Sequence, residues 1–294
     1  MYKNEHIFEF YLYNNNKKDK KESDEISEAS RKILSCILAL YYDSEYSSCF
    51  DTEKVIKMII LQNTKYNMLS TKEEIEKLLE ELNQNKTIES QIANKCINIE
   101  STMDLEDKES VIKDLYNKYL TLAYTPRISH LMYLQPNYFF EGYENVLEHI
   151  YGTLLIALGI QSEYNYFLDY KKLFSTLLLH ETDEIVLGDD PCDLDYQRKE
   201  LTEESREAIT EMLIKLKKEK EYIRQIIDYK KRSDITMEYA SLINRLEYLL
   251  QTRIYEKRGM YNQEGIFDIV YEKDKLSYQT IPCLRGILEK AKKL

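Results

Sequence analysis

Residues that interrupt helices are scarce in this sequence. Its 294 residues include only 7 Gly and 4 Pro, and Trp is absent. A fold of many short strands would need more of these turn-forming residues, so the composition favours long helices. Hydrophobic residues make up 43% of the chain, which is enough to bury one large core or two ordinary ones.

Cysteine pairs with metal-binding spacing are also missing. The five cysteines are widely separated, so we predict free thiols in a reducing compartment and no structural zinc cluster. No hydrophobic run approaches the roughly 20 residues that span a bilayer. The first apolar stretch precedes the first basic run, the reverse of a signal peptide, so we expect a cytoplasmic protein that does not enter membranes.

Acidic residues outnumber basic ones, and the formal net charge is −11 at pH 7. The acidic residues are spread along the chain. Such a surface repels phosphate backbones, which argues against a general nucleic-acid-binding protein. A small phosphate ester can still bind to an acidic protein through one local positive group or a metal ion.

Apolar residues recur at spacings of three and four through most of the chain, which predicts an all-α fold. Ser70 and Glu73 form a capping-box pattern, so we expect a helix to begin at Ser70. The polar segments 14–25 and 187–200 are predicted to be loops. Further helices are predicted near 107–124, 144–160, 169–186, 202–230, 235–257 and 281–293.

The sequence contains an internal match at an offset of 118 positions. Residues 39–61 align with 157–179 without a gap, with eight identities in 23 positions, including the triplet Ser-Glu-Tyr in both segments. A second match pairs Ile112 and Leu115 with Ile243 and Leu246. Two unrelated amphipathic helix pairs remain an alternative. We predict two tandem halves, with residues 1–118 and 119–294 as the two domains.

Two of the four histidines lie in a pattern that suits a metal ion. His149 falls within the apolar helix ENVLEHIYGTLLIAL, and His180 ends the apolar run LFSTLLLH with Glu181 directly after it. Imidazole nitrogens together with a carboxylate are ligands that borderline divalent metals favour. We therefore predict that His149 faces His180 across two packed helices, with Glu181 within ligand reach.

Three blocks in this order resemble the HD-domain hydrolases, in particular the branch that contains the bacterial 5′-deoxynucleotidases. The blocks are His149, HETDEIVLGD at 180–189 and NRLEYLLQT at 244–252. The resemblance covers about residues 120–258. It implies a helical bundle, here with two HD-like halves, around one divalent metal ion and a phosphate-ester substrate, commonly a nucleoside monophosphate.

The resemblance also implies a set of metal ligands, namely His149, His180, Glu181 and Asn244. The family has Asp where this chain has Glu181 and again where it has Asn244. One negative ligand would then replace two, so the ion, whether Mn²⁺, Co²⁺, Fe²⁺, Zn²⁺ or Mg²⁺, should bind more weakly.

Three further residues take roles from the same resemblance. Glu184 and Asp189 would position or deprotonate the attacking water, and Arg127 would bind the substrate phosphate. The usual aromatic residue after the arginine is absent. The implied activity is metal-dependent hydrolysis of nucleotides or similar small phosphate esters by a monomer or homodimer.

A non-catalytic binding or scaffold protein is the alternative. The altered ligand positions favour it, and so does the first half. There, positions equivalent to the ligands hold Arg31, Gln62, Asn63 and approximately Lys113, which as a set do not suit a divalent metal. The first half is therefore predicted to be a degenerate HD-like copy without a metal.

Overall fold

The computed structural model describes residues 2–18, 26–46, 49–102, 110–127, 133–134, 143–164, 166–189, 200–278 and 281–294. Within these ranges the chain forms helices and turns with no strand, so the predicted all-α fold is confirmed. No helix in the described part has the length and apolar character needed to cross a membrane. The α-helices are α1 (Tyr2–Asn15), α2 (Glu28–Glu45), α3 (Thr52–Leu61), α4 (Lys72–Gln84), α5 (Ile88–Thr102), α6 (Ser110–Leu120), α7 (Val146–Tyr164), α8 (Tyr170–Leu179), α9 (Glu184–Leu187), α10 (Glu203–Leu213), α11 (Glu219–Lys231), α12 (Ile235–Lys257), α13 (Ile266–Asp274) and α14 (Pro282–Lys293).

Helix α7 lies at the centre of the described fold. Every residue from 146 to 160 is buried, because α1, α2, α8 and α12 all pack against this helix. A helix that is apolar on all sides is stable in water only when it is surrounded in this way. This position carries His149, the fourth residue of α7, into the interior.

Helices α3 and α8 match closely at the offset of 118 residues. Each has ten residues, and each begins after an aspartate whose side chain accepts a hydrogen bond from the backbone N–H three positions later. The N-caps are Asp51 and Asp169, and the donors are Lys54 and Lys172. Such a cap fixes where a helix begins. The repeated sequence therefore has a repeated local structure.

A second offset, of 147 residues, relates α4 to α11 and α5 to α12. Helices α4 and α11 have 13 residues each, and each is followed by a left-handed residue, Asn85 or Arg232. Helices α5 and α12 begin at Ile88 and Ile235. The sequence match had instead paired part of α6 with α12.

The packing of these helices follows the same pattern in both halves. Helix α5 contacts α2, α3 and α4, and α12 correspondingly contacts α7, α8 and α11. Between the halves, α2 packs against α7 and α3 packs against α8. The tandem arrangement stays a prediction, and these repeated contacts support it.

Several local predictions were wrong. The helix near Ser70 begins at Lys72, and Ser70 donates both its backbone N–H and its hydroxyl to Glu163 instead of capping. The single helix expected over 202–230 is divided into α10 and α11 by turns, and the one expected over 169–186 ends at Leu179.

The two predicted loops were described only in part. Helix α1 and the turn after it extend to Lys18, so the expected loop at 14–25 begins later than predicted. Residues 19–25 and 190–199, which make up most of the two predicted loops, lie outside the described residues.

Candidate metal centre

The structure brings His149 and His180 together. His149 lies near the start of α7, and His180 directly follows the last residue of α8, which packs against α7. Both side chains are buried, and their ring centroids are 5.7 Å apart. The packing of α8 against the buried helix α7 makes this contact, because it places the residue after α8 beside the first turn of α7.

Glu181 lies beside both imidazoles. Its Oε1 atom is 3.7 Å from Nε2 of His149 and 3.2 Å from Nε2 of His180. Metal–ligand bonds of about 2.0–2.2 Å place neighbouring ligand atoms roughly 3–4 Å apart. The three side chains therefore have the chemistry and the spacing to hold one divalent ion.

The hydrogen bonds of His180 leave one nitrogen directed at the other two groups. Nδ1 donates to the backbone carbonyl of Leu177 at 2.8 Å, because a carbonyl oxygen can only accept. Nε2 is buried and has no hydrogen-bond partner. A buried lone pair without a donor is costly, and a metal ion at this position would satisfy it.

His149 is held from both sides. Nδ1 donates to Glu247 Oε2 at 2.5 Å, and Nε2 lies 2.6 Å from Oδ1 of Asn244, whose amide nitrogen donates to Tyr229. With Nδ1 protonated, Nε2 and Oδ1 are both electron-pair donors directed at one position. Their 2.6 Å separation is shorter than the roughly 3–4 Å expected between two ligands of one ion, so the role of Asn244 as fourth ligand stays a prediction.

Arg127 lies on the acidic side of the site. Its Nη1 atom is 3.1 Å from Glu181, 3.1 Å from Glu184 and 2.9 Å from Asp189, and all four side chains are buried. Its Nε atom is also buried and has no hydrogen-bond partner. The predicted roles of these residues stay predictions, but the structure gathers all of them at one place.

The pKa values of two neighbouring carboxyl groups are shifted in opposite directions. Burial by itself would raise the pKa of Glu181, but His180 and Arg127 outweigh it and hold this pKa well below its ordinary value. Burial and the adjacent Glu181 carboxylate raise the pKa of Glu184 well above its ordinary value. Two carboxyl groups with pKa values pushed apart can act as an ionised ligand and a proton-holding acid.

Glu247 was missed as a site residue. It lies on α12, is fully buried, and accepts a hydrogen bond from Nδ1 of His149. A Cβ atom at Gly152 of α7 would lie 2.4 Å from its Oε1, so the glycine allows this close approach. The signal was present in the block NRLEYLLQT, where Glu247 follows Asn244 by three positions on the same helix face.

At the two repeat offsets, the positions of the first half that correspond to His149 and Glu247 hold an ion pair. Arg31 is 118 residues before His149, and Glu100 is 147 residues before Glu247. Nη1 of Arg31 lies 3.1 Å from Oε1 of Glu100. A guanidinium cannot lose its proton to become a ligand, so this half keeps the pairing without the metal chemistry.

A model of the HD domain family matches residues 137–281. This segment is therefore similar to the HD domain, which agrees with the resemblance predicted from the sequence. The match contains His149, His180, Glu181 and Asn244. No curated protein and no solved structure matches the chain.

Proposed function

We propose that the protein is a metal-dependent phosphohydrolase that acts on nucleoside monophosphates or similar small phosphate esters. The observation that carries this proposal is the buried Nε2 of His180, which makes no hydrogen bond and lies 3.2 Å from Glu181 Oε1, close to His149. His149, His180, Glu181 and Asn244 would hold one divalent ion. When bound, such an ion activates water and offsets charge on the phosphoryl oxygens.

The surrounding residues have properties that suit the rest of the reaction. Glu184, whose pKa burial and Glu181 raise well above its ordinary value, suits an acid that protonates the leaving oxygen better than the water-activating role that the resemblance implies. Arg127 has an unused Nε–H donor that can bind a phosphate oxygen. Asp189 keeps the guanidinium in place through its 2.9 Å contact.

The second candidate is a binding protein without catalysis, and one observation favours it. Arg127 already gives Glu181, Glu184 and Asp189 a shared positive partner, so the acidic side of the site is partly neutralised without an ion. Metal binding would have to compete with this contact. Measured affinity for divalent ions therefore separates the two candidates.

The substitution Asn244→Asp tests the proposal directly. A carboxylate in place of the amide adds a negative charge to the ligand set, so we expect affinity for Mn²⁺ or Co²⁺ to rise about tenfold, worth about 1.4 kcal/mol. Calorimetry measures affinity, and release of phosphate from nucleoside monophosphates measures turnover. An increase in both supports a weakened hydrolase. If neither form binds any of several divalent ions, the binding-protein function replaces it.

We also propose that the chain consists of two HD-like halves, the first of them degenerate. The equal lengths and caps of α3 and α8, and the repeated contacts of α5 and α12, support this arrangement. In an experimental structure, we expect α2–α5 to superpose on α7, α8, α11 and α12 in the same order and direction. A pair of matched helices that runs in opposite directions would contradict duplication.

A further inference from the structure

A second cluster of buried ionisable groups lies behind His149, on the side away from His180. Glu144 and Glu247 place carboxylate oxygens around Nδ1 of this histidine, at 4.0 and 2.5 Å. Both carboxyl groups are almost completely buried. Two carboxylates at such a position need a positive partner, because an unpaired buried charge is very costly.

The positive partner is Lys18, from the turn that follows α1. Its Nζ atom lies 2.8 Å from Glu144, 2.6 Å from Glu247 and 3.2 Å from the side-chain oxygen of Gln251. An ammonium group has three N–H donors, and these three acceptors use all of them. Tyr11 of α1 donates a further hydrogen bond to the same Oε1 atom of Glu247.

These contacts form a continuous path from the N-terminal segment to the candidate metal position. Lys18 donates a hydrogen bond to Oε1 of Glu247, and Oε2 of Glu247 accepts a hydrogen bond from Nδ1 of His149. The other ring nitrogen of His149, Nε2, therefore faces His180 and Glu181. A carboxylate bonded to the far nitrogen of a ligating histidine fixes its tautomer and its orientation.

Lys18 and Tyr11 lie outside residues 137–281, the segment that matches the HD domain. Helix α1 brings them to the site by packing along α7. The segment 2–18 therefore supplies groups that the matched domain does not contain.

We propose that Lys18 is a positioning residue for His149, so that the N-terminal segment is a working part of the metal site. The metal-binding consequence rests on the proposed function, whereas the orientation of His149 does not. Without the ammonium, Oε1 of Glu247 keeps only the hydroxyl of Tyr11 and loses its charged partner, so the carboxylate and the imidazole bonded to it lose their fixed orientation. If Lys18 only balanced charge, any change that restored the balance would serve equally well.

The experiment compares Lys18→Met with the double variant Lys18→Met/Glu144→Gln. The first removes the ammonium at nearly constant volume. The second also removes one negative charge, but it does not restore the ammonium contact to Glu247. Lys17→Met is the matched control, because Lys17 is the preceding residue and its ion pair in the described structure is with Glu28, away from Glu247. Circular dichroism confirms that each variant is folded.

Two readouts are used. In the metal-free protein, ¹⁵N–¹H spectra of labelled histidine, of which the chain has four, report whether His149 carries one slowly exchanging Nδ1 proton. Calorimetry with Mn²⁺ gives the metal affinity. We expect both Lys18 variants to lose the distinct Nδ1 signal and to bind Mn²⁺ at least about tenfold more weakly, the usual cost of losing an outer-shell partner.

Two results would overturn the proposal. One is an unchanged His149 signal in folded Lys18→Met, and the other is full recovery of that signal in the double variant, which would make Lys18 a charge-balancing residue only. If the unmodified protein binds no metal, the hydrolase proposal fails, and the histidine spectra still decide the role of Lys18.

Discussion

His180→Ala is expected to weaken the affinity for divalent metal by on the order of 100-fold or more. Losing a residue that only contacts a ligand costs up to about 100-fold, and losing a ligand should cost at least as much. The variant loses Nε2 of His180, a buried imidazole nitrogen that makes no hydrogen bond in the described structure. It also leaves Glu181 without its 3.2 Å contact. The heat of Mn²⁺ binding, measured by calorimetry, and the rate of phosphate release from nucleoside monophosphates should both fall to background.

A second variant separates loss of the ligand from damage to the fold. In His180→Asn the side-chain amide can still donate to the carbonyl of Leu177, as Nδ1 does, but it has no nitrogen at the position of Nε2. We expect it to fold better than His180→Ala and to bind metal equally poorly. His6→Ala is the matched control, because His6 is part-exposed and contacts Glu163 instead. Retention of wild-type affinity in His180→Asn would exclude His180 as a ligand.

Arg127→Met is expected to lower the free energy of unfolding by about 3–5 kcal/mol at neutral pH, the usual cost of breaking a buried ion pair. The reason is that Glu181, Glu184 and Asp189 would lose their shared cation. Urea denaturation measures the change. Arg224→Met is the control, because Arg224 is exposed and its ion pair with Asp228 one helical turn away is worth about 1 kcal/mol or less.

The pH dependence of the Arg127→Met effect follows from Glu181. Its pKa in the folded protein is depressed, so it contributes stability that is present above the unfolded pKa and lost as pH falls through the folded one. Removing Arg127 raises that folded pKa, so the difference between wild type and variant is largest at neutral pH and shrinks in acid. A difference that grows as pH falls would contradict this account.

Divalent metal should partly rescue the same variant. With Arg127 gone, an ion at Glu181 meets no competing guanidinium and offsets the carboxylate charge. A ligand at 100 times its dissociation constant stabilises the folded state by about 2.7 kcal/mol. Mn²⁺ should therefore raise the melting temperature of Arg127→Met more than that of wild type. An equal shift would indicate that Arg127 does not compete with the ion.

Sequence reasoning succeeded where a helix and its motif coincide. The apolar pattern around His149 and the run that ends at His180 predicted two packed helices, and the structure places the two rings together. It failed at helix ends. The pattern of Ser70 and Glu73 predicted a cap, but Ser70 forms hydrogen bonds with the distant Glu163, a tertiary contact that local sequence does not encode.

The groups behind His149 could not have been predicted in the same way. Lys18 lies in a polar stretch that composition alone describes as a loop, and its burial depends on α1 packing along α7. Sequence patterns report which face of a helix is buried, but not which distant segment covers it. Glu247 was visible within a recognised block, and only the structure shows that it contacts His149.

Arg127 and Lys18 together have a consequence for how the protein is made. Arg127 supplies a positive charge to the carboxylates beside Glu181, and Lys18 supplies one to the carboxylates behind His149. Domains built around a structural metal fold only when the ion is present. Here the chain carries its own cations, so under the proposed function we expect folding to be complete before an ion binds.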